Sequence, residues 1–475
     1  MNNFWEKNKE TLIIFGILLF QFILRIVIYF NTSLFYFHDY KSYLSAVDLI
    51  EETGNIPLIR GNFLFLNSYI GYFFKYILGS IHYYFIFNSF LAVAASYIVA
   101  ETANIIFNDK KVFVVSLALH SVYTEFLCWS SIFYTPVLGI FLLSLVFYST
   151  VRLIKSDKLS ADLIFGFFII LLVNFSFYIK SEMKYLYLLF IIFGLINYKY
   201  KNILMKFLLL GILLNLSSSA FRSSVLYPKL KGNVPVNDFV FFGHTLYGGD
   251  GGDGSFIYEE NEKKYYRELD KYCLDNNIPD SLKYSHIVRN KFQSSEIKKF
   301  IKNHPFQWLK LQGYKFFRFF GIVPEGDSAK ILITGLFYNN IYGTAVFLVF
   351  PFSIMILLIL FLSDFRNILK IFNNPFYILI FFLSGYYIMG SVFYGQYQER
   401  YRMPLMVCFL IPYLGFLLSS VKSEKGFMKK KILNILIILV FIGIWSSQLY
   451  HVVVKNRVRY MKTIEETHHK TDKEN

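Results

Sequence analysis

The chain has 475 residues, of which 55% are hydrophobic and 17% charged, and carries a formal net charge of +16. A positive mean hydropathy excludes a water-soluble globule and places the chain among membrane proteins. The three cysteines, Cys128, Cys273 and Cys408, stand far apart, which excludes a disulfide framework or a zinc site, and the basic residues fall in short clusters between apolar stretches, the pattern of lipid-facing loops and not of a nucleic-acid surface.

A bilayer core about 30 Å thick needs about 20 apolar residues in helical form. Such stretches predict an all-α polytopic membrane protein with about eleven spans, at roughly 11–31, 82–106, 112–128, 131–151, 161–179, 185–198, 203–220, 336–362, 375–395, 403–420 and 431–450. The first span follows a basic start but is long and has no small-residue cleavage site, so it reads as an anchor and not as a signal peptide. Lys7 and Lys9 precede it; Lys110 with Lys111, Arg152 with Lys155 and Lys158, Lys199 with Lys201, Arg366 with Lys370, and the run Lys422 to Lys431 then fall on every second connection. Positive loops stay cytoplasmic, so the N-terminus is expected inside a plasma (inner) membrane. This divides the chain into an N-terminal transmembrane core (1–220) holding the first outer loop (32–81), an extracytoplasmic loop (221–335), C-terminal transmembrane helices (336–450) and a polar tail (451–475).

In chain order, the first polar feature is Arg25 inside the first span. Charges there face a bundle interior or a wet cavity, or snorkel to the interface; the sequence leaves both open. The first outer loop begins Phe37-His38-Asp39-Tyr40. The spacing of Tyr43, Ala46, Val47 and Ile50 predicts an amphipathic helix on the membrane surface, with Asp39 near its N-terminus. An acid at that place is either a helix cap or a reactive carboxylate. Lys180 and Lys184 flank a short outer connection and serve either an anion site or a solvated turn.

The polar stretch from Phe221 to Lys330 has helical patterning over Glu259 to Cys273 and Tyr284 to Lys302 and a glycine-rich start, Gly248-Gly249-Asp250-Gly251-Gly252-Asp253-Gly254-Ser255. The match to a calcium-binding nonapeptide fails at Ser255 and occurs once, whereas such repeats stabilise one another by stacking; the alternating acids of a calcium-binding helix-loop-helix are also missing. What remains is a backbone-exposing loop with His244, suited to a polar ligand or to a divalent cation shared with His38 and Asp39. Further on, Glu399, Arg400 and Arg402 crowd the start of a late span. Forked guanidinium groups there suit a lipid phosphate or anchor the helix end at the headgroups. No nucleotide-phosphate loop is present.

Taken in order, Arg25, the pattern Asp39…Tyr43…Ala46…Gly54…Pro57, the glycine-rich mid-chain loop, and Arg400-Tyr401-Arg402-Met403-Pro404-Leu405 resemble the C-type membrane glycosyltransferases, relatives of protein O-mannosyltransferases and of the aminoarabinose transferase acting on lipid A. The resemblance implies transfer of a sugar from a polyprenyl-phosphate donor to an extracytoplasmic glycan, lipid or protein, with inversion. It implies Asp39 as the catalytic carboxylate and Arg400 and Arg402 as the grip on the donor phosphate, with Arg25, His38, Tyr43, Lys180, Lys184, His244 and Glu399 as further substrate contacts. Membrane lipids are the remaining expected partners, and a divalent cation is the one cofactor the loop chemistry admits. The chain departs from the family where relatives carry a second acid at the outer start of the fourth span: it has Tyr134-Thr135-Pro136, and the nearest acid is Glu125. Two rival expectations are a polymerase or ligase of lipid-linked glycans and a flippase.

Overall fold

The computed structural model describes residues 2–30, 38–54, 65–179, 183, 185–226, 258–283, 286–321, 341–363, 374–394, 399–420 and 432–450. Among them there is no strand. Helix α1 (Asn2–Phe30) carries only Gln21 and Arg25 as polar residues in its apolar half; they stand one turn apart, so they share a face. That face is buried while Phe15, Phe20 and Ile23 are exposed, the arrangement of a helix with lipid on one side and protein on the other.

Helix α2 (His38–Thr53) runs where an amphipathic helix is expected and buries Tyr43, Ala46, Val47 and Ile50. Helix α3 (Phe65–Tyr72) packs beside it and ends in one π-helical turn, Phe73–Ile77. Asp48 of α2 takes the Lys75 ammonium at 2.5 Å and the Tyr76 hydroxyl at 2.7 Å, which ties the two segments together. Gly71 is required at the crossing, because a Cβ there would collide with the Phe133 ring and Val47.

The bundle continues through α4 (His82–Phe107), α5 (Lys110–Val122), α6 (Thr124–Trp129), α7 (Pro136–Lys155), α8 (Leu159–Ser176), α9 (Leu186–Ile196) and α10 (Lys201–Phe221). The expected continuous span over 112–128 is broken: the backbone leaves helical geometry at Tyr123 (φ −79°, ψ 89°), so α5 has 13 residues and α6 only 6. Asn88 Nδ2 donates to Ser130 O (2.9 Å) and Tyr84 Oη to Tyr134 O (3.1 Å), so the buried turn after α6 is held by α4.

In the polar stretch, α11 (Tyr258–Asp275) and α12 (His286–Asn303) enclose a small core of Leu269, Cys273, Val288 and Phe292. A third helix, α13 (Pro305–Phe319), returns the chain to the bundle. Then follow α14 (Ile341–Leu362), α15 (Pro375–Tyr394), α16 (Glu399–Leu405), a π-helical turn Met406–Leu410, α17 (Ile411–Ser419) and α18 (Ile432–Tyr450). The π turn has a local cause. Ile411 N–H bonds Met406 O, so Val407 O would await the next nitrogen along, which belongs to Pro412 and has no hydrogen. His120 Nε2 meets that carbonyl at 2.9 Å instead. Nearby, Gly415 lets α17 lie against Ser116 of α5, where any Cβ would clash.

Six described helices are long and apolar enough to cross a membrane: Glu10–Phe30, His82–Phe107, Pro136–Lys155, Leu159–Ser176, Lys201–Ser224 and Tyr401–Ser419. Shorter described apolar stretches lie at Leu186–Ile196 and, within α14, α15 and α18, at Pro351–Leu362, Pro375–Gly390 and Asn434–Ser447. The all-helical membrane architecture therefore stands, with six helices of crossing length among the described residues set against the eleven spans expected over the whole chain.

Candidate functional site

The residues singled out in distant parts of the sequence meet around the broken segment 123–135. Glu125 lies in the first turn of α6 and is 1% exposed. Arg402, from α16, grips it with two nitrogens: Nε donates to Oε2 at 3.1 Å and Nη2 donates to Oε1. The Tyr123 hydroxyl, on the residue where the helix breaks, donates to Oε2 at 2.6 Å. Two acceptors at the end of α13 complete the set, since Arg402 Nη1 also donates to Gly321 O (2.6 Å) and Phe319 O (3.4 Å). Its Cζ lies 3.7 Å from the centroid of the Phe352 ring of α14.

The carbonyls at a helix C-terminus have no intrahelical partner and carry partial negative charge. Arg402 satisfies two of them, and Trp445 Nε1 from α18 satisfies the third, Phe320 O, at 2.9 Å. One guanidinium thus joins α6, α13, α14 and α16 at a single buried point.

One residue along α6, the Arg25 guanidinium lies 5.0 Å from the Phe126 ring centroid and is fully buried. This answers the question the sequence left open: Arg25 faces the protein interior and does not snorkel. Its Nη1 donates to Gln21 O at 3.1 Å, while Nε and Nη2 have no partner among the described residues. Gln21 Oε1 and His120 Nδ1, also buried, lack partners among the described residues too. Among the described side chains the segment is therefore flanked by two guanidinium groups and one carboxylate, and that carboxylate belongs to Arg402. A buried guanidinium without a carboxylate is costly in an apolar bundle, and among the described residues Arg25 is answered by the Phe126 ring and Gln21 O.

Tyr43 brings the first-loop helix onto the same segment, its ring lying 4.8 Å from the Tyr134 ring and 6.3 Å from that of Phe133. The contact sets Tyr43 of α2 against the turn that follows α6. The side chains of His38, Asp39, Glu399 and Arg400 lie outside the described residues, although the backbones of the first two open α2 and those of the second two open α16. Lys180, Lys184 and His244 lie outside them altogether. The structure thus brings Arg25, Tyr43, Glu125 and Arg402 together. It also alters the reading of Arg402, whose every nitrogen is engaged within the protein, so that the side chain acts as an internal clamp and has no fork left for a phosphate.

Metal chemistry finds no cluster to work with among the described residues, where no three metal-ligating side chains converge; the cation candidates His38, Asp39 and His244 fall outside the described side chains. Two participants went unnoticed in the sequence. His120 is hidden inside an apolar run, and α13 carries Lys315 on a stripe with Leu311 and Phe319, a cation on an otherwise apolar face that is in principle readable from the spacing. No family model matches the chain, and neither does any curated protein.

Proposed function

We propose that this protein is a membrane glycosyltransferase that moves a sugar from a polyprenyl-phosphate donor to an extracytoplasmic acceptor with inversion at the anomeric carbon. The observation that supports the reading is the convergence on segment 123–135 of the first-span arginine, the first-loop helix that begins with His38-Asp39, and the late-span arginine. In this scheme the acceptor oxygen attacks the anomeric carbon, the bond from that carbon to the phosphate oxygen breaks, and its electron pair leaves with the phosphate. Asp39 takes the acceptor's proton as general base, and fixed cations stabilise the charge gathering on the departing phosphate. Glu125 is held by Arg402 and Tyr123, so its role is to position Arg402 and not to replace the missing second carboxylate. Arg400 then carries the phosphate contact that was expected of the pair.

A second reading, a flippase of lipid-linked sugars, is favoured by one feature: a buried ion pair beside a broken helix is also how transporters build a site within the bilayer. The two readings separate in proteoliposomes loaded with a polyprenyl-phosphate sugar on one leaflet. Glycosyl transfer yields free polyprenyl phosphate and a new glycoside, and Asp39→Asn abolishes it. Flipping moves the donor intact between leaflets and is indifferent to an added acceptor. Movement of intact donor with no sugar released would defeat the transferase reading.

A further inference from the structure

Helix α13 has two faces of different character. Leu311, Gln312, Lys315 and Phe319 are buried, whereas Phe306, Leu309, Phe316 and Phe317 form an exposed apolar stripe on the other side. The buried face docks on the bundle at both ends. The Gln312 amide donates at 3.0 Å to the carbonyl of Val392, close to the end of α15 at Tyr394. The carbonyls of Phe319 and Gly321 receive Arg402, which opens the crossing helix Tyr401–Ser419. Gln312 and Phe319 stand about two turns, or roughly 10 Å, apart along α13, and both meet the bundle where an apolar helix ends or begins. The axis of α13 therefore runs across the end of the bundle, along the boundary of the membrane.

The exposed stripe is continuous with a surface that faces lipid. The Phe316 ring lies 5.2 Å from that of Phe320, which lies 6.3 Å from that of Phe441 on α18, and Trp445 of the same helix donates to Phe320 O. Leu436, Leu439, Val440 and Ile442 of α18 are exposed, and apolar side chains exposed on a helix of a membrane bundle meet acyl chains. The charge of the segment indicates the kind of lipid. From Lys298 to Phe320 the chain holds five lysines and one arginine and no carboxylate. Lys298 and Lys302, at the end of α12, and Lys310, at the edge of the stripe, are exposed. A basic helix with large apolar side chains along one face lies in the headgroup layer and is drawn to anionic lipid.

We propose that α13 is an in-plane membrane helix that seats Phe306, Leu309, Phe316 and Phe317 in an anionic leaflet, on the side of the bilayer where α15 ends. The seat is independent of the reaction and holds equally for a transferase and a flippase. Its consequence is mechanical: the leaflet supports from outside the same helix whose last carbonyls Arg402 grips from inside, so the Glu125–Arg402 pair is braced by lipid.

The test uses the full-length protein, freed of its three native cysteines, in nanodiscs. Phe306→Cys, Leu309→Cys and Phe317→Cys carry a bimane label on the stripe, and Lys271→Cys, exposed on α11, carries it away from α13. All four positions lie on the surface, so the variants are expected to fold as the parent does. The discs hold phosphatidylglycerol and phosphatidylcholine in equal amounts, with bromine near the headgroup end of the acyl chains of both lipids or of one only. With both brominated, emission at 306, 309 and 317 should be blue-shifted and quenched, and emission at 271 should be neither. With one brominated, phosphatidylglycerol should quench about twofold more than phosphatidylcholine at 306 and 309, and the triple variant Lys298→Glu/Lys302→Glu/Lys310→Glu should bring the two to equality. Labels on the stripe that are as water-exposed as the one at 271 would overturn the lipid seat and leave the face to a protein partner. Equal quenching by the two lipids in the parent would overturn the anionic leaflet. Quenching at 271 as strong as at 306 would overturn α13 as the contact, since the whole polar stretch would then lie on the disc.

Discussion

Removing either half of the Glu125–Arg402 pair should destabilise the protein, and by unequal amounts. Breaking a buried ion pair from one side costs about 3–5 kcal/mol, because the remaining charge stays buried without compensation. Glu125→Gln keeps the side-chain volume and leaves Arg402 with two carbonyls and the Phe352 ring, so its cost should fall at or below the lower end, about 2–3 kcal/mol. Arg402→Met leaves the Glu125 carboxylate with only the Tyr123 hydroxyl and strips the end of α13 of its donor, which should put it at about 4–5 kcal/mol. The double variant removes both charges and should recover about 1–3 kcal/mol relative to the sum of the singles. Thermal unfolding of the four proteins in one detergent, followed by tryptophan fluorescence, gives the ranking. Amide exchange at 319–321 supplies an independent check, since Arg402→Met should speed it while Glu125→Gln should not. If both single variants melt within about 1 °C of the parent, or if their effects simply add, the pair is not the clamp described.

The remaining predictions concern other groups. Lys315→Met should stabilise the protein by about 3 kcal/mol at pH 7, because the gap between 10.5 and about 8 is worth about 1.4 kcal/mol per pH unit. Between those values the unfolded chain holds a proton that the folded chain does not, so the parent's stability should rise with pH through that window; the advantage of the variant is complete below pH 8 and fades towards 10.5, and an advantage independent of pH would contradict the account. Asp39→Asn should leave folding near normal and cut transfer by at least about a hundredfold, the scale of a lost general base, whereas near-normal turnover would make Asp39 a helix cap. Single cysteines at positions 39 and 400, in a background free of the native three, should both react with an impermeant maleimide in intact cells; protection of one until the cells are broken would split the proposed site across the bilayer.

Much of this arrangement can be read along the chain, and the readable parts are local. The face of α2 follows from the spacing of Tyr43, Ala46, Val47 and Ile50, and the inward stripe of α1 from Gln21 and Arg25 standing one turn apart in an apolar run. The break at Tyr123 was not legible, because hydropathy averages over a break of a single residue. The partnership of Glu125 with Arg402 spans 277 positions, and no local period reports such a pairing; only the cost of leaving either charge alone in a membrane suggests that each must have a partner. The π turn is intermediate, since Pro412 announces a missing hydrogen but not that His120 takes the carbonyl it leaves. Lys315 carries a readable signal, a cation on an apolar stripe, but its meaning depends on α13 being docked at both ends, which only the folded structure provides.

The most direct measurement offers the purified protein a panel of radiolabelled polyprenyl-phosphate sugars, with and without an acceptor extract, and scores release of polyprenyl phosphate for the parent and for Asp39→Asn. The account predicts that at least one donor is consumed by the parent, with the sugar recovered at the opposite anomeric configuration, and that Asp39→Asn consumes none at a comparable rate. Failure of the parent to bind or turn over any donor in the panel, or equal consumption by the two proteins, would contradict it.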